Sequence, residues 1–193
     1  MSYDSGPTAT YSIPHLREMG YTGQEYENNS ASSAYSAFKN SAIFVVRNHG
    51  SAGRISFVNA SGTKTYLKGT SSSSTDTAIM NYNNGELNEN LLAIFSGCYT
   101  GKDSSTYGNL VDAALAKGSK CAIGWKEKSY TKPANSWVGE FFNWCSQGAK
   151  ISEAMNKADA YVKREHCNNV ENYVYTDMRN RETGTSNLAE IIG

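Results

Sequence analysis

Two stretches of the chain are apolar without interruption: Ala42-Ile43-Phe44-Val45-Val46 and Leu91-Leu92-Ala93-Ile94-Phe95. Neither shows alternation or helical spacing, which predicts strands buried on both faces of a parallel sheet. Cys121-Ala122-Ile123-Gly124 predicts a shorter strand of the same kind. Helical spacing fills the intervals. Ala34, Tyr35 and Phe38 predict a helix over 30–39, and Leu110 to Lys117 predicts another, stopped by Gly118. Trp137, Phe141, Trp144 and Cys145 form the apolar stripe of a helix over 135–147. Ser12-Ile13-Pro14 reads as a helix start with Gly20 as its stop, and Ser152 as the cap of a helix running to about Glu165.

The remaining segments add edges and an insertion. Tyr3, Tyr21 to Glu27 and Tyr173-Val174-Tyr175 are candidate strands, the first clipped by the start of the chain. Arg54 to Lys68 reads as a small β-hairpin turning at Asn59-Ala60-Ser61-Gly62, and Ser71 to Ser74 as a polar loop. The alternation predicts an α/β fold with a mostly parallel central sheet of about five to six strands, flanked by helices and carrying the hairpin. The expected organisation is one domain over residues 1–193, with no internal repeat.

Composition narrows the functional classes. Lys and Arg number 18 and Asp and Glu 18, so no net field draws the chain to nucleic acid or anionic lipid. The apolar runs are far too short for membrane insertion, which takes about 20 residues. Thirteen tyrosines and an abundance of Ser, Asn, Gly and Thr suit an exported, extracytoplasmic protein. The N-terminus lacks a basic segment followed by an apolar one, so no signal peptide is visible, and a piece cut from a larger precursor would look the same. Cys98, Cys121, Cys145 and Cys167 form no CxxC pair, so neither a zinc site nor a disulfide framework is expected.

Chemistry gathers where two buried strands end. One run leads through Arg47 and Asn48 to His49-Gly50, the other through Ser96-Gly97 to Cys98. In an open parallel sheet ligands bind beyond the carboxyl ends of the strands. Neighbouring strands lie about 4.8 Å apart, so two such side chains can meet. An imidazole beside a thiol favours the thiolate and can later protonate a leaving amine. Glycines next to both residues let a substrate carbonyl approach main-chain N–H groups, those of Gly50 and Cys98.

Phe44-Val45-Val46-Arg47-Asn48-His49-Gly50 and Ile94-Phe95-Ser96-Gly97-Cys98-Tyr99-Thr100-Gly101 resemble the histidine and cysteine motifs of the caspase-like (clan CD) cysteine peptidases. The wording is similar to that of separase, CHAT and clostripain-type sequences. The separation of about fifty residues is also that of caspases. The resemblance, which extends from about residue 10 to 175, implies a three-layer caspase-like sandwich acting on polypeptides without cofactor or metal. It implies Cys98 as nucleophile, His49 as general base and acid, and Asn48, Gly50 and Gly97 as residues shaping the site. Ser96 stands where many members specific for basic residues carry Asp, and Asp76 or Asp103 on loops are further candidates for contacting substrate. The Gln-Ala-Cys-Arg-Gly wording of caspases is absent.

Rival readings are weaker. Gly97 to Asp103 lacks the glycine spacing and the Ser or Thr of a phosphate loop. A nucleophile elbow would need Gly at 96 and 100, which are Ser and Thr. Two alternatives to a peptidase stay open: an inactive caspase-like binding scaffold, and a thiol amidase or amidotransferase pairing Cys98 with His166. Cys121, Cys145 and Cys167 read as structural thiols, His15 as a helix-surface residue, and His166 as a helix C-terminal residue.

Overall fold

The computed structural model describes residues 2–5, 9–27, 29–71, 73, 77–166 and 178–180. A six-stranded sheet runs through the middle in the order β2-β1-β3-β7-β8-β9. These strands are β1 (Ser2–Ser5), β2 (Gly23–Glu25), β3 (Ile43–Arg47), β7 (Leu92–Ser96), β8 (Ala122–Trp125) and β9 (Met178–Asn180). All neighbours pair parallel except β8 with β9. The edge strand expected at 173–175 lies outside the described residues, and β9 follows a few residues later.

Each buried run splits its side chains between two cores, as the period of two requires. Ile43, Val45, Leu92, Ile94, Ile123 and Trp125 face one core. There they meet α1 (Ala9–Glu18), α4 (Thr131–Ser146) and α5 (Ile151–His166). Phe44, Val46, Ala93, Phe95 and Ala122 face the other, against α2 (Ala31–Phe38) and α3 (Leu110–Ala116). Phe38 anchors this second core, stacked on Phe44 at 4.3 Å and edge-on to Phe95 at 5.9 Å. Three layers result.

Helix ends follow local chemistry where the sequence marks them. Ser30 Oγ accepts from Ser33 N–H at the start of α2, and Asn109 Oδ1 accepts from Val111 and Asp112 at the start of α3. Gly20 and Gly118 take positive φ after α1 and α3. Three boundaries differ from expectation. Helix α1 begins a turn before Ser12, leaving Pro14 inside it. Ser12 and Leu16 are buried there, so packing outweighs the hydrogen bond Pro removes. Helix α4 starts at Thr131, with Pro133 in its first turn where no N–H is needed. Ser152 lies inside the first turn of α5, whose Ala154 N–H bonds Lys150 O.

The expected hairpin is part of a three-stranded antiparallel sheet: β4 (Gly50–Ser51), β5 (Arg54–Val58) and β6 (Lys64–Lys68). Ile55, Phe57 and Leu67 point into the second core. Strand β4 starts directly after His49, so this small sheet grows out of the end of β3.

Candidate active site

Strands β3 and β7 lie side by side in register through the pair Arg47 and Ser96. The pairing survives one residue further, where Asn48 N–H donates to Ser96 O at 3.2 Å. Both chains then turn. Asn48 Oδ1 accepts from His49 N–H at 2.8 Å, and His49 O accepts from Ser56 N–H (2.9 Å) and Ser56 Oγ (3.0 Å) of β5. The His49 backbone is thus held from both sides while its side chain is exposed.

On β7 the turn is built around Thr100. Its buried hydroxyl lies 2.5 Å from Phe95 O and 2.9 Å from Gly97 O, and it accepts from Trp125 N–H at 3.1 Å. Tyr99 has φ 61, a left-handed conformation uncommon outside glycine, Asn and Asp. It reverses the chain just after Cys98. Tyr99 N–H donates to Glu127 O at 3.1 Å and Gly101 N–H to Trp125 O at 2.8 Å. Cys98 is half-buried, and its Sγ donates to Ser129 O at 3.4 Å.

The two turns touch backbone to backbone. A Cβ on Gly50 would lie 2.5 Å from Cys98 O and 3.0 Å from Cys98 N, and one on Gly97 would lie 2.6 Å from Asn48 O. Glycine is required at both places because nothing larger fits. His49 and Cys98 consequently line one cleft of about 600 Å³, together with Asn48, Gly97, Arg47 and Ser96. Phe57 and Val58 of the hairpin and Lys128 and Ser129 beyond β8 complete its walls. The Ser96 side chain is 1 % exposed, and its Oγ has no hydrogen-bond partner among the described residues.

This fold has solved counterparts, although no family model matches the chain and no curated protein matches it. The Arg-specific cysteine proteinase gingipain R superposes with a TM-score of 0.59 at 11 % identity, over 86 % of this chain and 42 % of that one. The architecture is caspase-like. This chain therefore spans less than half the length of that proteinase, and at such identity the likeness concerns the fold.

None of the other candidates among the described residues lines this cleft. Asp76 lies outside the described residues. Asp103 is not on the cleft: its Oδ1 accepts from Asn109 Nδ2 at 3.0 Å, and it lines a separate cavity beside α3. It shares the turn that caps α3, which draws it away from the sheet's end. His166 Nε2 lies 3.0 Å from Ser136 Oγ of α4 and does not line the cleft. Cys121 and Cys145 are buried in the first core, where burial pushes the Cys145 thiol pKa up. Cys167 lies outside the described residues.

Sequence reasoning missed Thr100, Ser56 and the carbonyls of Glu127 and Ser129. The first two are ordinary hydroxyl residues whose role depends on a partner far along the chain. Carbonyls leave no mark on a sequence at all.

Proposed function

We propose that the chain is a cysteine endopeptidase whose nucleophile is Cys98 and whose general base and acid is His49. The observation that carries this reading is the glycine-to-glycine contact, which sets the two residues on one cleft at the carboxyl ends of adjacent strands. The Cys98 thiol gives its proton to the His49 imidazole and attacks the scissile carbonyl. The developing oxyanion is held by the N–H groups of Gly50 and Cys98. The imidazolium then protonates the leaving amine, and a thioester joins the acyl half to sulfur. Water, deprotonated by His49, cleaves the thioester and restores the thiol.

Substrate is a polypeptide, and Ser96 is the residue proposed to contact it within the cleft. A buried hydroxyl without a partner costs about 1–3 kcal/mol, a cost that a bound side chain with a matching polar group removes. Asn48 acts through the backbone, its side chain holding His49 N–H.

The test is turnover of a denatured protein substrate by Cys98→Ala and His49→Ala, each checked for an unchanged unfolding midpoint. Losses of about 10³-fold or more are expected from either. Full turnover by Cys98→Ala sinks the assignment. A binding scaffold is the second reading, since folds outlast activities. The thiol's bond to a carbonyl rather than to the imidazole favours it. The amidase pairing of Cys98 with His166 is disfavoured by the place of His166 against Ser136.

A further inference from the structure

Strand β8 ends at Trp125, yet the chain stays beside the nucleophile. Trp125 O accepts from Gly101 N–H at 2.8 Å, Glu127 O from Tyr99 N–H at 3.1 Å, and Ser129 O from the Cys98 thiol at 3.4 Å. The chain bends at Lys126 and Glu127, yet the carbonyls of residues 125, 127 and 129 all reach the turn that holds Cys98. Their donors come in reverse order, 101, 99 and 98, so residues 125–129 run antiparallel along the turn that holds Cys98. Two rungs of this ladder are amide bonds. The third uses a thiol, a weak donor.

That third rung directs the thiol proton to a neutral carbonyl, which cannot take it. The His49 imidazole, by contrast, makes no hydrogen bond among the described residues. The segment is also part of the cleft, since Lys128 and Ser129 line it, whereas Glu127 and Lys128 are exposed. Its base is anchored, because Trp125 N–H is held by Thr100 Oγ1 at 3.1 Å.

We infer that residues 126–130 form a strap that holds Cys98 in a resting state and lifts from the Cys98 turn when substrate fills the cleft. This rests on the peptidase reading. Substrate in the cleft meets Lys128 and Ser129 of the strap directly, so it can bind the raised and lowered forms with different affinity, which is what a population shift requires. The hinge lies between Trp125, which stays bonded to the turn, and Glu127, which does not. Release of the Ser129 rung frees the thiol to turn toward His49.

Two measurements on the full chain test it. The first is the rate of Cys98 alkylation by iodoacetamide in the unaltered protein, in Glu127→Gly/Ser129→Gly, and in each with His49→Ala. The loosened strap should speed labelling about tenfold, with the gain lost when His49 is removed. Cys121 and Cys145, both buried, should stay unlabelled and so report an intact core. The second measurement needs no strap variant: amide hydrogen exchange before and after carboxamidomethylation of Cys98. The Tyr99 amide should lose protection while the Gly101 amide keeps it. Equal protection of Tyr99 in both forms makes the strap a fixed wall and overturns the inference. A wild-type labelling rate in the glycine variant, with His49 dependence retained, does the same and leaves the peptidase reading standing. Labelling indifferent to His49→Ala ends that reading and the strap with it.

Discussion

Gly50 and Gly97 face each other across the ends of β3 and β7 so closely that a Cβ on Gly97 would lie 3.1 Å from Gly50 N and 3.2 Å from Gly50 Cα. The contact lies between the candidate base and the candidate nucleophile in space, and it decides how near they come. Gly97→Ala and Gly50→Ala should each spread the two turns. Misplacement by about 1 Å can cost 10²-fold in rate, so kcat/KM on a peptide mixture should fall by at least that. Alkylation of Cys98 should lose its dependence on His49. A variant with unchanged kcat/KM would show that the spacing is not what matters.

Thr100→Val should destabilise the chain and slow it. The methyl groups keep the contact with Gly50, but Trp125 N–H loses its acceptor, whereas the Phe95 carbonyl keeps Gly97 N–H at 3.1 Å. Each buried polar group left unpaired costs about 1–3 kcal/mol. Urea unfolding should therefore show a loss of about 1–3 kcal/mol at an unchanged slope. A loss under about 0.5 kcal/mol, the scale of an ordinary surface substitution, would refute the account.

Ser96→Ala should do the reverse. Removing a buried hydroxyl that has no partner among the described residues relieves a desolvation cost, so the unfolding midpoint should rise slightly. If Ser96 holds substrate, KM for the preferred peptide should rise at the same time. A rise in stability with an unaltered profile across a peptide library would leave Ser96 with no role in recognition.

Asp159 gives a pH dependence. Burial raises its carboxyl above the ordinary value, against the opposing pull of the Trp137 Nε1 hydrogen bond and of Lys163. The native state therefore holds this proton more tightly than the unfolded chain. The stability linked to it is present below the ordinary carboxyl range and is lost as pH rises through the raised value. Asp159→Asn keeps an acceptor for Trp137, 2.8 Å away, without the charge. It should be more stable than the parent near about pH 7, with the difference shrinking toward about pH 4. A constant difference across that range would contradict the burial argument.

The sheet was readable in the sequence because its central strands are buried on both faces. Phe44 and Val45 must both be apolar although they point to opposite cores. The boundaries of α1 and α4 were not, because Thr131 and Lys132 carry no apolar signal and Pro14 looks like a beginning. His49 and Cys98 stood out because a reactive side chain after a solid apolar run is conspicuous. Their surroundings did not, since the strap works through carbonyls and Thr100 acts on a partner 25 residues away. Asn48 was nearer to being readable, as Asn commonly accepts from neighbouring backbone N–H groups.

Tyr99 is a stiff residue in a conformation that glycine would adopt freely. A glycine there would ease the local energy, of the order of 1–2 kcal/mol, and enlarge the set of shapes open to the turn. Tyrosine trades comfort for definition. The direction in which Cys98 leaves the sheet is set by a neighbour with few choices, so aim is encoded beside the reactive sulfur rather than in it.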